Sequence, residues 1–282
     1  MNFPVLDNHI HLQPKGRNVE AIKDFKCVGG THAILSHLPY DEVPIRDAED
    51  FRESYEITTG IADRCNRETG VRVEVTLGPY PVLLLGLSEK YGLERGVEIM
   101  MGGMEIAQEF VLEGRALALG EIGRPHFPVP GDILEASNRI MMYGMELARE
   151  ANCAVVLHTE HSDPEKMLEF ARMADSASLE RYKVVKHYSP PLVLEEENHG
   201  LFPSVLASRP AAREAAEKGD RFLLETDFLD DPDRPGAVMD IKTVPKRMRW
   251  LMESGHMTEE QAWKVHSENP RRVYGKEFDL PP

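Results

Sequence analysis

Eight short apolar runs rich in β-branched residues recur along the chain, with helical stretches between them, and this alternation leaves few folds open. The runs are Phe3–His9, His32–His37, Val71–Leu77, Ala116–Glu121, Cys153–His158, Lys183–His187, Leu201–Leu206 and Arg221–Thr226. A strand, a helix and the next strand in one sheet make the strands parallel, and eight such units close a barrel. The prediction is an α/β protein, a TIM (β/α)8 barrel, in a single domain spanning residues 1–282. The length is near that of one such barrel, and no Ser/Gly-rich or low-complexity stretch divides the chain. Among the helices, the segment from Asp132 is the best marked. Asp132 is the expected cap, and Ile133, Ile140, Gly144 and Leu147 fall on one face. Met100, Met101, Met104, Met141, Met142 and Met145 read as packing residues. Pro245 to Glu253 and Thr258 to His266 read as two amphipathic helices that complete the outer ring.

Composition narrows the function classes. With 33 Lys and Arg against 48 Asp and Glu, the formal net charge is −15. A field of that sign repels phosphate backbones and anionic membranes, so stable nucleic-acid or membrane binding is not expected. The three cysteines, Cys27, Cys65 and Cys153, are scattered, with no CxxC spacing, which points to a reducing compartment and inert thiols. The start, Met1 to Asp7, lacks the charge and apolar length of a signal peptide, and no run of about 18 apolar residues occurs. The expectation is a soluble, cytoplasmic protein.

The chemistry sits at the strand ends. Five of the predicted strands finish on or beside a residue able to bind a metal: His9 with His11 beyond it, Glu121, His158, His187 and Asp227. In a parallel barrel these ends face one way, so the side chains converge at the C-terminal mouth, where barrel active sites are built. His9 and His11 are two residues apart and share a face, so one ion can take both. Imidazole and carboxylate without thiolate suit a catalytic site for Zn, Mn, Fe or Ni.

The segments around these residues resemble the TatD-type hydrolases of the amidohydrolase superfamily, in order along nearly the whole chain. Asp7-Asn8-His9-Ile10-His11 looks like the first-strand metal motif, and Gly120-Glu121-Ile122-Gly123 looks like the Gly-Glu-Ile-Gly whose Glu bridges two metals. His158 and His187 match the fifth- and sixth-strand histidines. Glu225-Thr226-Asp227 resembles the eighth-strand Glu-Thr-Asp, and Asn269 to Gly275 the closing Asn-x-x-Arg-hydrophobic-aromatic-Gly stretch. The resemblance implies a metal-dependent hydrolase with one or two divalent ions, zinc foremost and Mg, Mn, Fe or Ni as alternatives. It implies His9, His11, Glu121 and Asp227 around one ion and Glu121, His158 and His187 around the other. Glu121 and Asp227 would be the catalytic carboxylates, Asp227 taking the proton of a metal-activated water.

The residues after these ligands depart from the nucleases and are the expected substrate contacts: Arg124, Glu160, Tyr188 and Asp230. Glu160 follows His158 where an Arg that meets phosphate is usual, so it is expected to repel an anionic substrate, with Arg124 as the replacement cation. Asp231, Asp233 and Arg234 lie in the same turn as Asp230. His37 reads as a hydrogen-bonded core histidine, and His32, His161, His199, His256 and His266 as surface or capping residues. Three functions follow: hydrolysis of a phosphoester, deoxyribonuclease activity being its most specific form; hydrolysis of a small lactone, ester or cyclic amide; and a non-catalytic metal-binding scaffold. The substrate in view is a small molecule or a short nucleic acid.

Overall fold

The computed structural model describes residues 2–280, so Met1, where the reading of the N-terminus begins, and the last two residues of the predicted domain lie outside the described residues. Nine parallel strands form one sheet: β1 (Leu6–Leu12), β2 (His32–Ser36), β3 (Arg72–Leu77), β4 (Ala118–Gly123), β5 (Ala154–His158), β6 (Val184–Ser189), β7 (Phe202–Leu206), β8 (Leu223–Glu225) and β9 (Phe228–Asp230). Their order is β8-β7-β6-β5-β4-β3-β2-β1-β9. Since β8 pairs with β7 and β9, separated from it by only two residues, pairs with β1, the two are halves of one interrupted strand that closes the curled sheet. The helices are α1 (Val19–Cys27), α2 (Asp50–Thr69), α3 (Leu83–Tyr91), α4 (Leu93–Leu112), α5 (Gly131–Glu150), α6 (Pro164–Ser176), α7 (Glu195–Asn198), α8 (Arg209–Lys218), α9 (Thr243–Glu253), α10 (Glu259–Trp263) and α11 (Asn269–Tyr274).

Strands such as Ala154–His158 are apolar on both faces because helices cover one side and the barrel interior fills the other. An inner cluster of Leu6, Ile34, Val156, Val185, Phe202 and Leu223 is completed by Val273, Tyr274 and Phe278 from the C-terminal segment. This gives the closing Asn269-to-Gly275 stretch its physical role. Asn269 donates to the carbonyls of Asp220 (2.6 Å) and Phe222 (3.0 Å), anchoring α11 beside β8.

Several expectations need correction. β1 starts at Leu6, not Phe3, and runs through both histidines. Phe3 and Val5 instead pack with residues of α8, α9 and α10, and all seven residues of the strand are buried. The eighth strand does not end at Thr226: it is broken at Thr226-Asp227 and resumes over Phe228–Asp230, so Asp230 lies on a strand and not in a turn. Asp132 lies inside the first turn of α5, behind Pro130 at the cap, where its carboxylate accepts from the Ile133 amide (2.9 Å). Ile133, Ile140, Gly144 and Leu147 are all buried. A methyl group on Gly144 would come 2.9 Å from Ile122 and 3.2 Å from Met104, so glycine permits α5 to lie close to β4 and α4. Met100, Met104, Met141 and Met145 are core residues.

His32 and His266 are buried, not surface groups. The α10 helix opens into a π-helical turn, Lys264–Glu268, which carries His266 inward to stack on Phe3, with its Nδ1 3.0 Å from the Leu6 amide. Burial pushes the His266 imidazole down to about 3. As the pH falls below about 6.5 the unfolded chain takes up a proton that the folded chain refuses. The stability tied to a neutral His266 is therefore full above that pH and is lost progressively toward pH 3. Between pH 7 and pH 5 this contribution shrinks by about 2 kcal/mol. Urea unfolding at the two pH values should show a loss in the native protein larger by that amount than in His266→Asn; equal losses would contradict the assignment.

Candidate metal centre

At the C-terminal end of the barrel the six expected ligands come together. His9 and His11, on one face of β1, bring their Nε2 atoms to 3.1 Å. Glu121, from β4, places Oε1 2.9 Å from His9 Nε2, 3.2 Å from His187 Nε2 and 3.5 Å from His158 Nδ1. Asp227 sits in the break of the eighth strand with a left-handed backbone (φ 54°), a conformation Asp tolerates better than most residues. Its Oδ1 is 3.4 Å from His11 Nε2. Two triads, His9-His11-Asp227 and Glu121-His158-His187, each hold their donor atoms within 4.8 Å of one another, as does a third, His9-His187-Glu225.

Neutral imidazole lone pairs and carboxylate oxygens repel at these separations unless positive charge lies between them. Glu121 makes the point: its carboxylate is 1 % exposed and Oε1 has no hydrogen-bond partner. An orphaned buried acceptor aimed into a ring of imidazoles fits divalent cations, and the all-nitrogen-and-oxygen donor set suits a catalytic site more than a structural one. Burial works to raise the Glu121 carboxyl, but His158 and His187 beside it reverse this and hold it well below the usual carboxylate range. Burial likewise opposes ionisation of Asp227. The hydrogen bond from His11 and the neighbouring imidazoles of His187, His11 and His9 outweigh it, and its carboxyl too is lowered. Burial, reinforced by His9, drives His187 well below the ordinary histidine value, leaving it neutral and ready to ligate.

A layer of hydrogen bonds orients these ligands. His11 Nδ1 donates to the Ser36 carbonyl (2.9 Å), and Ser36 Oγ lies 3.1 Å from His9 Nδ1 and 2.9 Å from the Thr76 hydroxyl. Glu225, pushed up to about 7 by burial, stands 2.8 Å from His187 Nδ1. It accepts from the Tyr188 amide (2.7 Å) and from the Ser204 hydroxyl. Ser204 in turn accepts from Asn8 Nδ2 (3.0 Å), and Asn8 Oδ1 accepts from the Tyr274 hydroxyl (3.1 Å). A continuous chain thus links the C-terminal helix to His187. Sequence reasoning missed these four supports, although Asn8, Glu225 and Tyr274 lie inside motifs already singled out. Asp7 accepts from the Thr226 amide (2.9 Å) and hydroxyl (2.7 Å) and so fixes the turn that presents Asp227.

Beside the centre lies a cavity of about 420 Å³. Of the four expected substrate contacts, Glu160 and Tyr188 line it, Tyr188 being 46 % exposed. Arg124 and Asp230 do not. Arg124, 2 % exposed, turns toward the helices, donating to Asn138 and pairing with Glu160 (3.0 Å) and with Glu169. Asp230 is buried and accepts from the Asn18 amide (2.7 Å), holding the loop after β1. The expected repulsion by Glu160 also changes, because Arg124 and Lys166 (3.1 Å) neutralise its carboxylate. Tyr80 and His126, not anticipated from sequence, line the cavity too; His126 Nδ1 is 3.0 Å from His158 Nε2, and Tyr80 packs edge-on against the His158 ring. His37 is a core group, bonded to the Thr58 hydroxyl (2.8 Å), and burial pushes its imidazole down to about 3. No helix among the described residues is long and apolar enough to cross a membrane.

Comparison with known proteins agrees with this fold. An uncharacterized protein of Methanocaldococcus jannaschii is 37 % identical over 282 residues, covering 99 % of this chain and 98 % of that protein. A TatD-like protein from Archaeoglobus fulgidus has a similar structure, with a TM-score of 0.64 at 17 % identity over 96 % of this chain and all of the other. So does a TatD homolog from Escherichia coli, with a TM-score of 0.63 at 19 % identity over 96 % and 98 % of the two chains. At such identities the likeness is one of fold. The sequence profile described as TatD related DNase matches residues 6–275, and the chain therefore belongs to that family of metal-dependent hydrolases.

Proposed function

We propose that this protein hydrolyses phosphoester bonds of small or short substrates with a metal-activated water. The observation that carries the reading is the buried, unpartnered Oε1 of Glu121 among His9, His158 and His187, opening onto a cavity where Asp227 is ionised. His9, His11, Glu121 and Asp227 would hold one divalent ion and Glu121, His158 and His187 a second, with zinc the first candidate and Mg, Mn, Fe or Ni the alternatives. Such ions, when bound, supply Lewis acidity to the scissile group and lower the pKa of water. Asp227 reaches both His11 and the cavity, so it receives the proton of the attacking water and returns it to the leaving oxygen. Glu225 keeps His187 oriented with Nε2 toward Glu121, and Tyr80 and His126 wall the cavity beside His158. The three free cysteines are in keeping with a reducing, cytoplasmic setting. A second reading, hydrolysis of a small lactone or ester at the same centre, is favoured by the apolar part of the wall, Leu38, Leu229 and Val238.

Chelation should abolish hydrolysis of bis-p-nitrophenyl phosphate and of short single-stranded DNA, and added zinc or manganese should restore it. Turnover of lactones with phosphoesters inert would transfer the function to the second reading, and inertness of both would contradict a hydrolase. Asp227→Asn should lower kcat by about a hundredfold or more, and a change under threefold would exclude Asp227 as the proton carrier. Glu225→Gln should weaken metal affinity about 10–100-fold in competition with a fluorescent chelator, whereas unchanged affinity would remove the role given to Glu225.

A further inference from the structure

The cavity wall is lopsided in charge. Apart from histidines, Arg234 is the one cationic side chain lining it, on the loop between β9 and α9. Among the described residues no carboxylate lies within 4.0 Å of its guanidinium, although the chain carries a large acidic excess and nearby cations such as Arg124 and Lys166 are each paired twice. Arg234 is exposed and shares the cavity wall with Tyr80 and Tyr188. With Glu160 neutralised by its own partners, the cavity presents an anion-binding guanidinium, the metal-ligating side chains and an apolar wall of Leu38, Leu229 and Val238 with the exposed Tyr188 ring.

We infer that Arg234 is the substrate's anion-recognition residue, and that the substrate is a small phosphate ester in which the phosphoryl group lies between Arg234 and the metal centre and an apolar or aromatic organic group rests on Tyr188, Leu38 and Leu229. The inference rests on the phosphoester reading and narrows it. A cavity of about 420 Å³ takes a ligand of roughly mononucleotide size, within the range of small-molecule sites, and excludes a duplex. A guanidinium is suited to the role because its planar fork meets two phosphoryl oxygens at once. The neutral quartet of Arg124, Lys166, Glu160 and Glu169 leaves the approach beside His158 without net charge, so Arg234 is the side chain of the wall placed to meet an anion held at the centre.

The test uses the metal-loaded full chain and its Arg234→Gln and Arg234→Lys variants, which alter an exposed loop residue. Binding of inorganic phosphate is measured by calorimetry, and KM and kcat are measured with p-nitrophenyl phosphate and with the neutral p-nitrophenyl acetate. The inference predicts that Arg234→Gln weakens phosphate binding and raises KM for the phosphate ester by about tenfold or more, with kcat changed less than threefold. Lysine should restore part of the affinity, and the acetate ester should be unaffected. Phosphate binding within twofold of the native protein in Arg234→Gln, or no phosphate binding by the native protein, overturns it. If the native protein binds phosphate through Arg234 but hydrolyses only neutral esters, the phosphoester reading fails while the anion site stands. If the phosphate ester is turned over with KM unchanged in Arg234→Gln, the reading stands and the inference fails.

Discussion

Five nitrogen and oxygen donors, from His9, His11, Glu121, Asp227 and His187, face one another across gaps of 2.9 to 4.0 Å at one end of the barrel. In a buried setting such an arrangement is repulsive without intervening positive charge, because no water screens the lone pairs. Much of the surrounding structure bears on this cluster. The ionised state of Glu121 and Asp227 depends on the imidazoles around them, and the neutrality of His187 depends on burial and on its neighbour His9.

Closure of the barrel and assembly of the site are the same event. The eighth strand leaves the ladder after Glu225 and rejoins it at Phe228, and in the gap Thr226 is held by Asp7 while the Asp227 amide donates to the His9 carbonyl (3.0 Å). A regular strand would pair every backbone group and point alternate side chains inward; the break instead frees Asp227 to reach His11. Hydrogen bonds from Tyr274 through Asn8 and Ser204 to Glu225, whose carboxylate lies 2.8 Å from His187 Nδ1, tie the last helix to the same point. Residues from both ends of the sequence thus share one network around the candidate centre.

Much of this was legible in the sequence, for a definite reason. Strand ends in a parallel barrel all face one way, so His9, Glu121, His158 and His187 needed only to be placed on strands for their convergence to follow. What followed each ligand was less legible, since a loop side chain points where its partners draw it. Gly123, at φ 136°, turns the chain so that the Arg124 amide reaches the His158 carbonyl (2.8 Å) and its guanidinium enters a layer of carboxylates contributed by residues 36 and 45 positions away. Asp230 reads as part of the following turn because nothing local marks the second half of a broken strand. Tyr80 and His126 carry no periodic signal; they became part of the wall only through the ring of His158.

The central claim is that these six side chains hold divalent metal, and anomalous diffraction from crystals of protein loaded with zinc or manganese tests it directly. Data collected on either side of the absorption edge should show one or two peaks, one within bonding distance of His9, His11 and Asp227 and the other of His158 and His187, with Glu121 shared between them. Peaks confined to the protein surface, or an ordered centre without anomalous signal in loaded crystals, would contradict the account.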